Sequence, residues 1–204
     1  MIYYIYIDDY ENYSDFLKYD YVVEKLRYKK FMSYLNKEDK INCILSSLLI
    51  KKYCKNNNIK NYCLGLDENN KPYDINNNFY FNISHTDKMV AVAFDKDKVG
   101  LDVEKIEQYT TSQLNYTLNE EEQSKYNITN ELFTKIWTIK ESYVKQSGNG
   151  LLSTFNNVIV NYTNDSDVIL NLYINSFNLY NHYLSVCSKN NLNNIKEIKK
   201  SDII

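Results

Sequence analysis

The sequence predicts an α+β fold built from two similar halves, and three observations predict it. Short apolar runs alternate with the period of strands, longer ones repeat with the period of helices, and the order strand, two helices, three strands occurs twice. The halves fall at residues 1–98 and 99–204, each about 100 residues long, a common size for a compact unit. No sequence identity is visible between them, so the repetition is one of element order alone.

In the first half IYYIYI at 2–7 reads as a strand. Asp8 and Asp9 follow it directly, which leaves it too short for a signal peptide or a membrane span. Helical patterns come next, at 14–34 and 37–55. The second is the clearer: Ile41, Ile44, Leu45, Leu48 and Leu49 share one face, and Asn36 stands where an N-cap belongs. Such a face packs on a sheet. Strand-like runs follow near 62–66, 79–83 and 89–94. SHTDK, between FYFNI and MVAVAF, is polar enough for the loop joining two paired strands, and this places Ser84 and His85 at a strand end. The second half opens with the strand VGLDV at 99–103 and continues with helical patterns near 110–125 and 130–147. It returns to strands near 156–162, 168–174 and 183–188. Asn-rich pieces at 55–58, 76–78 and 190–194 read as surface loops, too short for an inter-domain linker.

Composition excludes some classes of function. With 44% hydrophobic and 25% charged residues the chain has the make-up of a globular protein. A net charge of -2 supplies no basic field, which argues against generic binding to nucleic acid or anionic membrane, so any anion binding has to be local. Cys43, Cys54, Cys63 and Cys187 form no CxxC pair and no ligand-like spacing with His85 and His182. A structural zinc site is not expected, and reduced thiols in the cytoplasm are the simplest account of them.

Three places could carry chemistry. In VGLDVEK, Asp102 and Glu104 are two apart on a strand, so both carboxylates point to one face and Leu101 and Val103 to the other. Paired carboxylates repel unless neutralised, and a hard divalent ion such as magnesium would do so, although an edge strand facing solvent shows the same pattern. On the helix from Phe133, Lys140 lies inside an apolar arc made by Phe133, Ile136, Trp137 and Val144. A lysine there either snorkels along the packed surface or is held where an anion or another protein approaches. Glu141 and Lys145 flank the arc at i, i+4, which on an exposed helix is an ordinary ion pair. In ISHTD, hydroxyl and imidazole could both donate to a phosphate, and Arg27, Lys29, Lys30 and Lys71 could supply cations for phosphates or simply be solvated surface. No GxxxxGK[ST], GxGxxG, HExxH or GxSxG element occurs.

Taken together and in order, FNISHT from Phe81, VGLDVEK from Val99 and WTIKESYVKQSGNGL from Trp137 resemble the three signature motifs of the Sfp-type 4'-phosphopantetheinyl transferases. The resemblance covers nearly the whole chain. It implies a pseudo-twofold fold with coenzyme A bound in the cleft between the halves. It also implies transfer of the phosphopantetheine arm to a serine of an acyl or peptidyl carrier protein, giving holo-carrier and 3',5'-ADP. Asp102, Glu104 and Glu141 match the family's magnesium-site carboxylates, Lys145 its lysine on the pyrophosphate, and Ser84 and His85 its coenzyme A phosphate contacts. Lys71 in NKPY matches the lysine of its GKP-like element, while Arg27 and Lys30 would meet the 3'-phosphate.

Within the family a metal-site glutamate, here Glu141, is thought to take the serine's proton, and no protein nucleophile is needed. Two positions depart from the pattern, Asn70 for glycine before Lys71 and Cys43 for a small hydroxylic residue. A further acidic residue of the family would be Glu120 or Glu121, Glu120 being preferred. The resemblance further implies a cytoplasmic monomer with a helical, acidic carrier as partner. The competing functions are a carrier binder that has lost its chemistry, or another magnesium-dependent phosphotransfer enzyme.

Overall fold

The structure, a computed structural model, describes residues 1–67, 71–148, 165–169 and 171–203. The expected strand at 156–162 and Asn70 lie outside the described residues. The chain divides into two units, one formed by Met1–Lys96 with Asn194–Ile204 and the other by Asp97–Asn193.

In the first unit β1 (Ile2–Tyr6) pairs antiparallel with β5 (Met89–Asp95), which pairs antiparallel with β4 (Tyr80–Thr86). On its other side β1 pairs in parallel with β10 (Ile195–Glu197), so residues that the sequence assigns to the second half complete the first unit's sheet, in the order β10-β1-β5-β4. β2 (Leu64–Leu66) and β3 (Pro72–Asp74) make a separate two-stranded sheet. Strand β4 runs to Thr86, paired with Met89, so the turn is tighter than SHTDK suggested, with Lys88 at φ 61°. Ser84 and His85 therefore sit inside a strand, paired with Ala91 and Val90.

The helical pattern expected at 14–34 splits in two. Tyr10–Val22 is a 3-10 segment started by Asp9, whose carboxylate accepts from Glu11 N, and α1 occupies Lys25–Ser33. Tyr, Phe, Asp and Val are indifferent helix formers, and burying Tyr13, Phe16 and Val22 decides the path of that stretch instead. Helix α2 (Lys37–Asn56) starts where expected and ends one residue later, and Ile41, Ile44, Leu45 and Leu49 are wholly buried against the sheet. Asn36 is its N-cap by position, but its side chain makes no capping hydrogen bond.

The second unit is an antiparallel sheet in the order β6-β9-β8-β7, made of β6 (Val99–Lys105), β7 (Ser166–Ile169), β8 (Leu172–Leu179) and β9 (His182–Ser188). The strand expected at 168–174 is interrupted. Asn171 takes a left-handed φ of 65°, which asparagine tolerates, and the chain reverses between β7 and β8. The helical pattern at 110–125 is likewise two helices, α3 (Thr111–Thr117) and α4 (Glu120–Lys125), because Asn119 caps the second of them. Helix α5 (Asn130–Ser147) lies on β6 and β9, and Ile136 and Ile139 enter a core with Leu118, Ile174 and Cys187. Among the described residues no helix is long and apolar enough to cross a membrane.

Candidate functional site

Two groups of side chains carry candidate chemistry, one in each unit. The second unit's group depends on how closely α5 lies on β6. A Cβ on Gly100 would stand 1.9 Å from Ser142 O and 2.4 Å from Gln146 N, well inside contact distance. Only a glycine admits the helix backbone there. Asp102 is two residues further on the same face of the strand, so it too faces α5, while Leu101 and Val103 are completely buried on the other face. The helix is stopped where the site ends: Gly148 adopts φ 78° and returns its N–H to Val144 O at 3.1 Å.

Asp102 is almost fully buried, and its Oδ1 accepts from Lys145 Nζ at 2.6 Å. The i, i+4 pair between Glu141 and Lys145 that the sequence suggests is thus replaced by one from helix to strand. Glu141 is buried beside these two. Its carboxyl is pushed up to about 6, by burial first and by the charge of Asp102 second, with Lys145 acting the other way. Asp102 and Glu141 therefore repel one another in a partly desolvated place, and one lysine answers both. Glu104, half-buried, is the next residue on the same face of β6.

These carboxylates fit a hard divalent cation in donor chemistry, since magnesium is commonly held by one or two carboxylates together with substrate phosphates. Their mutual repulsion around Glu141 is what such an ion would relieve. Among the described residues no three of His, Cys, Asp and Glu are gathered into a preformed cluster.

Lys140 does neither of the things expected of it. It is wholly buried, neither snorkelling nor left open to an approaching ligand anion or protein, and Nζ donates to Thr117 O at 2.7 Å and Glu122 Oε2 at 2.8 Å. Burial lowers its pKa against the opposing effect of Glu122. Glu122 also accepts from Asn119 N at 3.0 Å as the second half of a capping box, so one buried ion pair ties α3, α4 and α5 together. Glu120 and Glu121, looked to as the further acid, are exposed in the first turn of α4, and the buried acid of that stretch is Glu122. The signal for it was Asn119-x-x-Glu122, a capping pattern, read together with the misplaced lysine. Trp137 packs against Phe133 and Tyr116, at ring separations of 6.2 and 6.3 Å.

In the first unit a cavity of about 660 Å3 is lined by Arg27, Lys29 and Lys30 from α1, Cys43 and Ser46 from α2, and Ile83 and His85 from β4, among others. Arg27 is held in place there. Its guanidinium donates to Ser46 Oγ and Ser47 Oγ, each at 2.8 Å, and to Glu24 Oε2 at 3.3 Å. Cys43, a departure from the family pattern, faces this cavity with its thiol pushed up by burial, which keeps it protonated. Pro72 lines the cavity and Lys71 precedes it, its N–H donating to Asp67 Oδ1 at 2.8 Å. Ile83 and His85 face the cavity by strand alternation, so Ser84 lies on the opposite face of β4, buried and outside the lining.

Comparison with known proteins agrees with the motifs. Residues 98–194 match the 4'-phosphopantetheinyl transferase superfamily. The 4'-phosphopantetheinyl transferase gsp of Aneurinibacillus migulanus is 32% identical over 155 residues, covering 72% of this chain and 65% of that protein. A 4'-phosphopantetheinyl transferase of Bacillus subtilis is 26% identical over 181 residues, 78% of this chain and 79% of its own length. The 4'-phosphopantetheinyl transferase Sfp of Bacillus subtilis (strain 168) is 31% identical over 104 residues, 46% of this chain and 44% of that protein.

Proposed function

From a chain that is related to the 4'-phosphopantetheinyl transferases, and whose residues 98–194 belong to that superfamily, we propose the family's reaction. The 4'-phosphopantetheine group of coenzyme A is moved to a serine of an acyl or peptidyl carrier protein, leaving holo-carrier and 3',5'-ADP. The observation that carries this reading is the grouping of Asp102, Glu141 and Lys145 where β6 and α5 meet. The cation-lined cavity on the first unit supplies the phosphate-binding chemistry that coenzyme A needs.

Each residue has a defined task in this scheme. Asp102, Glu104 and Glu141 would hold a magnesium ion, which when bound lends the pyrophosphate positive charge and relieves carboxylate repulsion. Glu141, buried beside Asp102 where β6 and α5 meet, would accept the serine proton, the role the family's metal-site glutamate is thought to have. As that proton moves, the serine oxygen bonds to the β-phosphorus and the bond from that phosphorus to the bridging oxygen breaks. 3',5'-ADP departs with its new charge stabilised by Lys145. Arg27 and Lys30 take the 3'-phosphate, with Lys71 and His85 as further phosphate partners. The pseudo-twofold halves sharing one coenzyme A between them, the cytoplasmic monomer, and the absence of nucleic-acid or membrane partners belong to the same proposal.

Intact-mass measurement of an apo carrier incubated with coenzyme A and magnesium tests it. A gain of one phosphopantetheine, abolished by chelator and by Glu141→Ala or Lys145→Ala, is expected. No gain on several unrelated carriers, with coenzyme A bound, would make this a binding protein instead.

A further inference from the structure

Two facts about Lys145 stand together. Its ammonium is 2.6 Å from the Oδ1 of a carboxylate whose side chain is only 3% exposed, while its own side chain remains 33% exposed. It also acts on Glu141, opposing both burial and Asp102. A cation thus lies against the carboxylate that the proposed reaction gives to a metal, and it comes from the residue meant for the pyrophosphate. One ammonium cannot serve both at full strength, because a metal ion beside Asp102 repels it and a polyphosphate attracts it.

We propose that Lys145 is the resident counter-cation of Asp102 in the free protein, exchanged for a divalent ion when the coenzyme's pyrophosphate draws the lysine away. The inference rests on the metal reading above and deepens it. Its consequence is coupling: the free protein binds a divalent cation weakly, and binds it well only with the polyanion that frees Asp102. The geometry suits such an exchange. Asp102 is fixed on a strand between Leu101 and Val103, both fully buried, so it is the stationary member. Lys145 lies in the last turn of α5, three residues before the left-handed Gly148, and its long, partly exposed side chain can swing without moving the helix. Without that exchange the lysine would merely neutralise the site it is meant to serve.

The test measures Mn2+ binding by electron paramagnetic resonance in the absence of any coenzyme, using whole protein. Lys145→Gln, expected to abolish transfer, should bind Mn2+ about fivefold more tightly than the parent, since a partly exposed ion pair is worth up to about a factor of five. Lys145→Arg, which keeps the charge, should bind as weakly as the parent. Lys105→Gln removes an equal charge from the same strand, where Lys105 pairs with Glu107, and reports the effect of net charge alone. Asp102→Asn should remove the binding that Lys145→Gln gains. If Lys145→Gln gains no more than Lys105→Gln while Asp102→Asn still weakens Mn2+ binding, the exchange is refuted and the metal reading stands. If Asp102→Asn changes nothing, the metal reading itself fails and the exchange with it.

Discussion

Replacing Glu141 with glutamine should stabilise the ligand-free protein, and the gain should appear only as pH rises. Burial and the charge of Asp102 lift this carboxyl from an ordinary 4.5 to about 6. The native state therefore holds the proton more tightly than the unfolded chain does. That advantage is complete below pH 4.5 and is lost as the pH climbs through about 6, where the native protein must keep a buried anion beside another. At about 1.4 kcal/mol per pH unit, the loss comes to about 2 kcal/mol. Glutamine has the same shape and no proton to lose. The stability of Glu141→Gln relative to the parent should therefore improve by about 2 kcal/mol between pH 4.5 and neutrality, and change little below 4.5. Urea unfolding across that range, followed by the fluorescence of Trp137, reads the difference directly. Trp137 is the single tryptophan and lies one turn before Glu141 on the same helix. A gap that stayed constant with pH, or widened in the parent's favour, would show that Glu141 is not held in the environment described.

Other substitutions probe the scaffold. Gly100→Ala should destabilise by about 1–3 kcal/mol through overpacking against α5. It should also reduce transfer more than Leu101→Ala, which damages the core without separating Asp102 from Glu141; urea midpoints and intact-mass rates measure the two effects. Lys140→Met should cost about 3–5 kcal/mol by leaving Glu122 buried without its cation, and the double variant with Glu122→Gln should recover much of it. Equal destabilisation in the single and double variants, again by urea unfolding, would refute the pairing.

What the sequence disclosed was whatever depends on neighbours along the chain. The apolar face of α2, the extent of α5 and the alternation of Asp102 and Leu101 on β6 follow from periodicity, and the structure has them where they were expected. Contacts between distant residues were beyond it. Local spacing suggested Glu141 with Lys145, whereas the lysine pairs with Asp102, 43 residues earlier. Lys140 was recognised as out of place, but Glu122 was found only when α4 folded back on α5. The break within 110–125 was missed because a single capping side chain, Asn119, outweighs a continuing pattern. The turn in SHTDK was placed too early because strand β4 runs on through Ser84 and His85 to Thr86.

The parallel pairing of Ile195–Glu197 with β1 bears on synthesis at the ribosome. Asp97–Asn193 is one uninterrupted stretch, so it can fold as soon as it has emerged. The first unit's sheet is completed later, although its first 96 residues emerge earlier, because its edge strand β10 is made only after the whole of the second unit. Until then β1 presents an open edge to whatever strand is near, and the order of completion runs opposite to the order of translation.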